Sequence, residues 1–98
     1  MNINIEKDNG KVIFKLAGRL DTTTAPELEK AINGEGEALK SLILDFQGVD
    51  YISSAGLRVL LTAQKKMNAQ GYMELNNVSE AVMDIFEMTG FADILVIK

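Results

Sequence analysis

Between Ser41 and Met67 the chain changes from one hydrophobic period to another. Ser41-Leu42-Ile43-Leu44-Asp45-Phe46 is a short, nearly continuous apolar run closed by Gly48, the pattern of a strand covered on both faces. Beyond it Leu57, Leu60, Leu61 and Met67 recur at helical spacing, and Val59 and Ala63 widen that apolar side. The intervening turn, Tyr51-Ile52-Ser53-Ser54-Ala55-Gly56-Leu57-Arg58, therefore delivers the chain to a helix that starts between Ser53 and Gly56. Free backbone N–H groups and the helix dipole favour negative charge there.

The flanking patterns extend this unit. Met1–Glu6 alternates weakly, Asp8-Asn9-Gly10 signals a tight turn, and Lys11–Ala17 is rich in strand formers, so the two runs predict a β-hairpin. Gly18 interrupts the second strand, which Arg19-Leu20-Asp21 continues past a bend, and Asp21 ends it or opens an Asx-turn. Thr24 and Glu27 fit a capping box with Pro26 in the first turn, ahead of a helix faced by Leu28, Ala31 and Ile32 and ended by Asn33-Gly34-Glu35-Gly36. Asn68–Gly71 stops the next helix, with Lys65 and Lys66 near its C-terminal end. Tyr72–Asn76 reads as a strand, Ser79 caps a helix carrying Val82, Ile85, Phe86 and Met88 up to Gly90, and Ile94–Ile97 is a last short strand. The order β-β-α-β-α-β-α-β predicts an α/β fold, a mixed sheet with helices on one face. Its parallel crossovers are expected through the helix after Ser53 and the helix after Ser79.

Composition narrows the functions open to such a fold. Ninety-eight residues, 47% apolar and 24% charged, suit one globular domain spanning 1–98. A net charge of −4 with scattered acids argues against a nucleic-acid surface. No apolar run approaches a membrane span and the N-terminus is not a signal peptide, so a cytoplasmic location is expected. There is no Cys and no His, which removes thiolate metal sites, Ser-His nucleophiles and imidazole acid–base chemistry. Asp45 and Asp50 alone make a poor metal site. Neither a Gly-x-Ser-x-Gly elbow nor a phosphate-cradling Gly-Lys-Ser/Thr loop is present. A non-enzymatic module without cofactor, metal or small-molecule substrate is expected.

The candidate chemistry is at the two serines. Serine is a favoured N-cap, and one of the pair satisfies that role. The other is free for a phosphate, which would add about −1.5 to −2 charges beside unpaired N–H groups. Extrapolating the helical rotation backward puts Ser54 at the polar edge beside Arg58 and Ser53 toward the apolar side. Arg58 is a cation where the dipole disfavours one. It reads either as a solvated helix residue or as a contact to a partner or phosphate. Gln64 and Asn68 interrupt the apolar side of the same helix without an assigned role. Tyr51 is expected to pack against the strand end.

Gly18-Arg19-Leu20-Asp21, Leu42–Phe46, Val49–Leu60 and Ile85–Phe91 together resemble the STAS domain of bacterial anti-sigma factor antagonists. The resemblance covers nearly the whole chain. It implies a four- to five-stranded sheet and a partner-switching role. The unmodified protein would bind an anti-sigma factor that is also a serine kinase, freeing a sigma factor. Phosphorylation would end the interaction, and a serine phosphatase would restore it. The family's usual pivot is Asp-Ser-Ser/Thr-Gly-Leu. Aligned on Gly56-Leu57, Ser53 takes the Asp position, Ser54 the phosphoacceptor and Ala55 the second hydroxyl position. The resemblance thus implies phosphorylation at Ser54 and a partner surface of Asp21, Thr22, Thr23, Ser53, Ser54, Ala55, Gly56 and Arg58. The competing expectation is a constitutive STAS scaffold, or an accessory subunit of a larger assembly or transporter, in which Ser54 is only a cap.

Overall fold

The computed structural model describes Met1–Lys98. Strands β1 (Asn2–Asp8) and β2 (Lys11–Leu20) form the expected antiparallel hairpin. Asn9 and Gly10 take φ of 49° and 85°, the left-handed pair that a two-residue turn matched to strand twist requires. Helix α1 (Ala25–Gly34) leads to β3 (Ser41–Ile52), α2 (Ser54–Gln70) to β4 (Tyr72–Asn76), and α3 (Glu80–Thr89) to a 3-10 turn at Phe91–Asp93. The sheet order is β1-β2-β3-β4, with β3 interior and parallel to both neighbours.

The crossover expected through α2 is present, a second one runs through α1, and the one expected through α3 survives only as a bridge. The expected last strand shrinks to one parallel bridge, Leu75 with Ile97. Its first residues are spent on the 3-10 turn, where the Ile94 and Leu95 N–H groups both donate to Phe91 O. Only Val96 and Lys98 remain to bond the β4 backbone at Leu75.

Val12, Phe14, Leu16 and Leu20 of β2, Leu42, Leu44, Phe46, Val49 and Ile52 of β3, and Met73 and Leu75 of β4 point to one side. They share a single core with Leu28 and Ile32 of α1, Leu57, Leu60 and Met67 of α2, and Val82 and Phe86 of α3. Phe86 meets Phe46 with ring centroids 6.3 Å apart and tilted by 58°, pinning α3 to the interior strand. The opposite face carries Lys11 and Lys15, Ser41 and Asp45, and Glu74 and Asn76, with Ile13 and Ile43 between them. Helices cover only one face, so the expectation that β3 is covered on both is corrected. No helix is long and apolar enough to cross a membrane.

Several boundaries differ from the sequence pattern. β3 runs on past Gly48 to Ile52 because β2 bends with it. The pairing shifts register between Lys15 and Ala17 and again between Gly18 and Arg19, which lets Val49 and Ile52 enter the core. α2 runs on to Gln70, whose side-chain amide donates to Leu39 O at 2.7 Å and Gly36 O at 3.3 Å. Lys65 and Lys66 are therefore not in its last turn. Met88 stands in solvent rather than on the apolar face of α3. Gln64 is buried at 4% exposure. Its Nε2 donates to Asn68 Oδ1 at 2.9 Å, and its Oε1 has no protein partner. Ser79 caps α3 as expected, accepting from Val82 N–H at 3.2 Å.

Candidate functional site

The two serines divide their duties. Ser53 is extended, with φ −102° and ψ 176°, and is the N-cap of α2, its Oγ accepting from Gly56 N–H at 3.5 Å. Its backbone is fixed from both sides, because Ser53 N–H donates to Leu20 O at 2.9 Å and Ser53 O accepts from Leu57 N–H at 2.9 Å. Ser54 is the first helical residue and is exposed, and its hydroxyl has no intramolecular hydrogen bond. No loop separates β3 from α2, since Ile52 ends the strand and Ser53 is already the cap. Gly56 lies underneath. A Cβ there would come within 2.8 Å of Ile52 Cγ1 and Leu20 Cγ and 2.9 Å of Leu20 O. The helix start is thus pressed onto the ends of β2 and β3, as close backbone approach demands.

Beside it, the turn after β2 is built around Asp21. Its Oδ1 accepts from Thr23 N–H at 3.0 Å, Thr24 N–H at 3.1 Å and the Thr24 hydroxyl, and its backbone O accepts from Ala25 N–H at 2.8 Å. This is the Asx-turn expected of Asp21. It displaces the capping box expected of Thr24 and Glu27. Thr24 Oγ1 instead donates to Arg19 O at 2.6 Å and accepts from Asp21 N–H at 2.9 Å, and it makes no cap bond. The Thr24 N–H is the main reason the Asp21 carboxyl is held below its usual range. Partial desolvation opposes it, while the Thr23 N–H, the Thr24 hydroxyl and the Arg19 guanidinium 3.6 Å away add to it.

Arg19 also lies over the Tyr51 ring, 4.1 Å from its centroid, where the two are paired across β2 and β3. Tyr51 is 38% exposed, so the expectation that it packs into the fold is corrected. The register shift carries Ile52 inward and leaves Tyr51 outside. Tyr51→Ala is accordingly expected to cost less than about 1.5 kcal/mol in urea denaturation, the scale of an exposed cation–π contact plus a partly covered ring.

Thr22, Ala55 and Arg58 line one open groove between the N-terminal halves of α1 and α2, about 250 Å³ in volume, together with Ala25, Pro26, Glu29 and Val59. Of the expected surface residues, these three share the groove. Asp21, Thr23, Ser53 and Ser54 are only sequence neighbours of its lining residues, and Gly56, expected on the same surface, is instead buried where the helix start presses onto β2 and β3. Pro26, Glu29 and Val59 were not anticipated, because they reach the groove only through the side-by-side packing of two helices distant in sequence. A larger depression of about 410 Å³ lies around the β1–β2 hairpin. It contains the Lys7–Glu35 ion pair and none of the pivot residues.

A family model described as the STAS domain matches residues 2–98. The anti-sigma-B factor antagonist of Listeria monocytogenes serovar 1/2a is 34% identical over 106 residues, covering 100% of this chain and 90% of its own length. That of Bacillus subtilis strain 168 is 29% identical over 96 residues, covering 97% and 88%. The anti-sigma factor antagonist SpoIIAA in its unphosphorylated form superposes with a TM-score of 0.82 at 22% identity, over 99% of this chain and 88% of that one. The Bacillus cell fate determinant SpoIIAA in its phosphorylated form superposes with a TM-score of 0.76 at 20% identity, over 99% and 91%. The α/β architecture derived above is the fold these structures share.

Proposed function

The chain belongs to the STAS domain family, among the anti-sigma factor antagonists, a group of non-enzymatic regulators, and from that premise we propose that it is a partner-switching module controlled at Ser54. In its unmodified form it binds an anti-sigma factor that is also a serine kinase and so releases a sigma factor. The kinase phosphorylates Ser54, which ends the interaction, and a serine phosphatase resets the cycle. The binding surface comprises the Asp21–Thr23 turn and the pivot residues Ser53, Ser54, Ala55 and Arg58, with buried Gly56 supporting them from beneath.

The observation that carries this reading is the division of labour between the serines. Ser53 performs the capping, while Ser54 presents an exposed hydroxyl that no element of the fold uses. A phosphate can be added there without breaking a hydrogen bond, and its charge falls at a surface a partner would have to desolvate. SpoIIAA, which has the same fold, is known in phosphorylated and unphosphorylated forms. Ser53 in place of the usual Asp favours the second reading, a scaffold that never switches, since the chain lacks the carboxylate beside the acceptor.

Incubation with ATP and candidate anti-sigma serine kinases from the source organism, followed by mapping of the phosphate, separates the two. A single phosphate on Ser54, absent from Ser54→Ala, is the expected result. A chain that binds its partner stably and is never phosphorylated is the scaffold.

A further inference from the structure

We propose that Arg58 is the counter-charge that holds a phosphate on Ser54, closing an ion pair along the first turns of α2; this rests on Ser54 being the phosphoacceptor. Ser54 and Arg58 are four residues apart on α2 and both are exposed. Helical side chains lean toward the N-terminus, and residues at i and i+4 have Cβ atoms about 5–6 Å apart, so the Arg58 side chain extends back over the turn that carries Ser54.

Arg58 has no carboxylate of its own. The ion pairs of the chain join the N-terminus to Glu27, Lys7 to Glu35, Lys15 to Glu6 and Arg19 to Asp21. Helix α2 contains no acidic residue at all. A cation near the start of a helix is mildly unfavourable unless an anion accompanies it. The charged groups on neighbouring elements leave the place open. Arg19 and Asp21 at the end of β2 neutralise each other, and exposed Asp50 precedes the pivot on β3. Glu29 of α1 shares the groove with Arg58 without pairing to it. A phosphoserine of charge about −1.5 to −2 one turn away attracts the guanidinium more strongly than a single carboxylate across a groove, and its oxygens accept a guanidinium fork. Phosphorylation would then both add an anion to the surface and withdraw the one cation α2 presents beside the groove.

The test installs phosphoserine at position 54 during translation, so that no kinase is needed. The second ionisation of the phosphate is followed by phosphorus NMR in the parent, in Arg58→Gln and in Arg58→Lys. The phosphate in the parent is expected to titrate about 0.5 pH units below that in Arg58→Gln, with Arg58→Lys keeping most of the difference because it keeps the charge. The helix N–H groups are common to all three forms and cancel. Coincident titrations of the parent and Arg58→Gln, both folded by thermal melt, would overturn the assignment. That outcome would leave the Ser54 switch standing, whereas a Ser54 that no kinase modifies would remove the switch without altering this titration.

Discussion

Gly71→Ala is expected to remove about 3 kcal/mol or more of folding stability. Gly71 is the single residue between α2 and β4, and a Cβ built on it would lie 2.0 Å from Lys40 O and 2.7 Å from Lys40 C. The obstacle is backbone, so no rotamer change relieves it. Lys40 O accepts from Tyr72 N–H at 2.9 Å, one residue before Ser41 and Tyr72 open the β3–β4 pairing. Moving Lys40 away costs that bond and strains the first pair of the ladder. Overpacking alone costs about 1–3 kcal/mol, and loss of the Tyr72–Lys40 backbone hydrogen bond adds about 1 kcal/mol. Against a total of about 5–15 kcal/mol, the urea midpoint should fall by a large fraction. A loss below about 1 kcal/mol would mean that the α2–β4 junction is looser than drawn.

Ser54→Asp is expected to weaken binding to the cognate anti-sigma kinase by about 10- to 100-fold while leaving the fold intact. The fold should hold because an acid at the first position of a helix is neutral or stabilising by about 0.3–1 kcal/mol, and no hydrogen bond is lost. Binding should suffer because a surface formed around a neutral hydroxyl must then desolvate a carboxylate. Ser54→Ala should bind like the parent and resist release. Ser53→Ala should act mainly on helix capping, near the lower end of the 0.5–2 kcal/mol of a lost cap, since its bond to Gly56 N–H is long at 3.5 Å. Calorimetric titration with parallel thermal melts reads all three. An Asp variant as tight as the parent removes the switch and favours the scaffold.

What could be read from the sequence was what local rules decide. Asn9-Gly10 between alternating runs forces a hairpin, Ser79 ahead of Val82 and Phe86 caps a helix, and Leu57, Leu60 and Met67 define the buried side of α2. Even the backward rotation from α2 placed Ser54 toward solvent. The failures occurred where a distant neighbour decided. Gly48 reads as the close of the central strand, yet β3 stays in the sheet to Ile52 because β2 bends at Gly18 to follow it. Thr24 and Glu27 match a capping box, but the Asp21 carboxylate reaches the Thr23 and Thr24 N–H groups first. Tyr51 looks like core and is turned outward by a register shift to meet Arg19. The groove rim of Pro26, Glu29 and Val59 exists only once α1 and α2 lie together. The pivot and the Asp21 turn were legible as local signals, and the α1 wall of the groove was not.

The most direct measurement of the switch is one preparation titrated into the anti-sigma kinase three times: unmodified, after stoichiometric phosphorylation at Ser54, and after phosphatase treatment. The account predicts binding in the first and third titrations and at least about a tenfold loss in the second, a difference of 1.4 kcal/mol or more. Equal affinities in all three would contradict it.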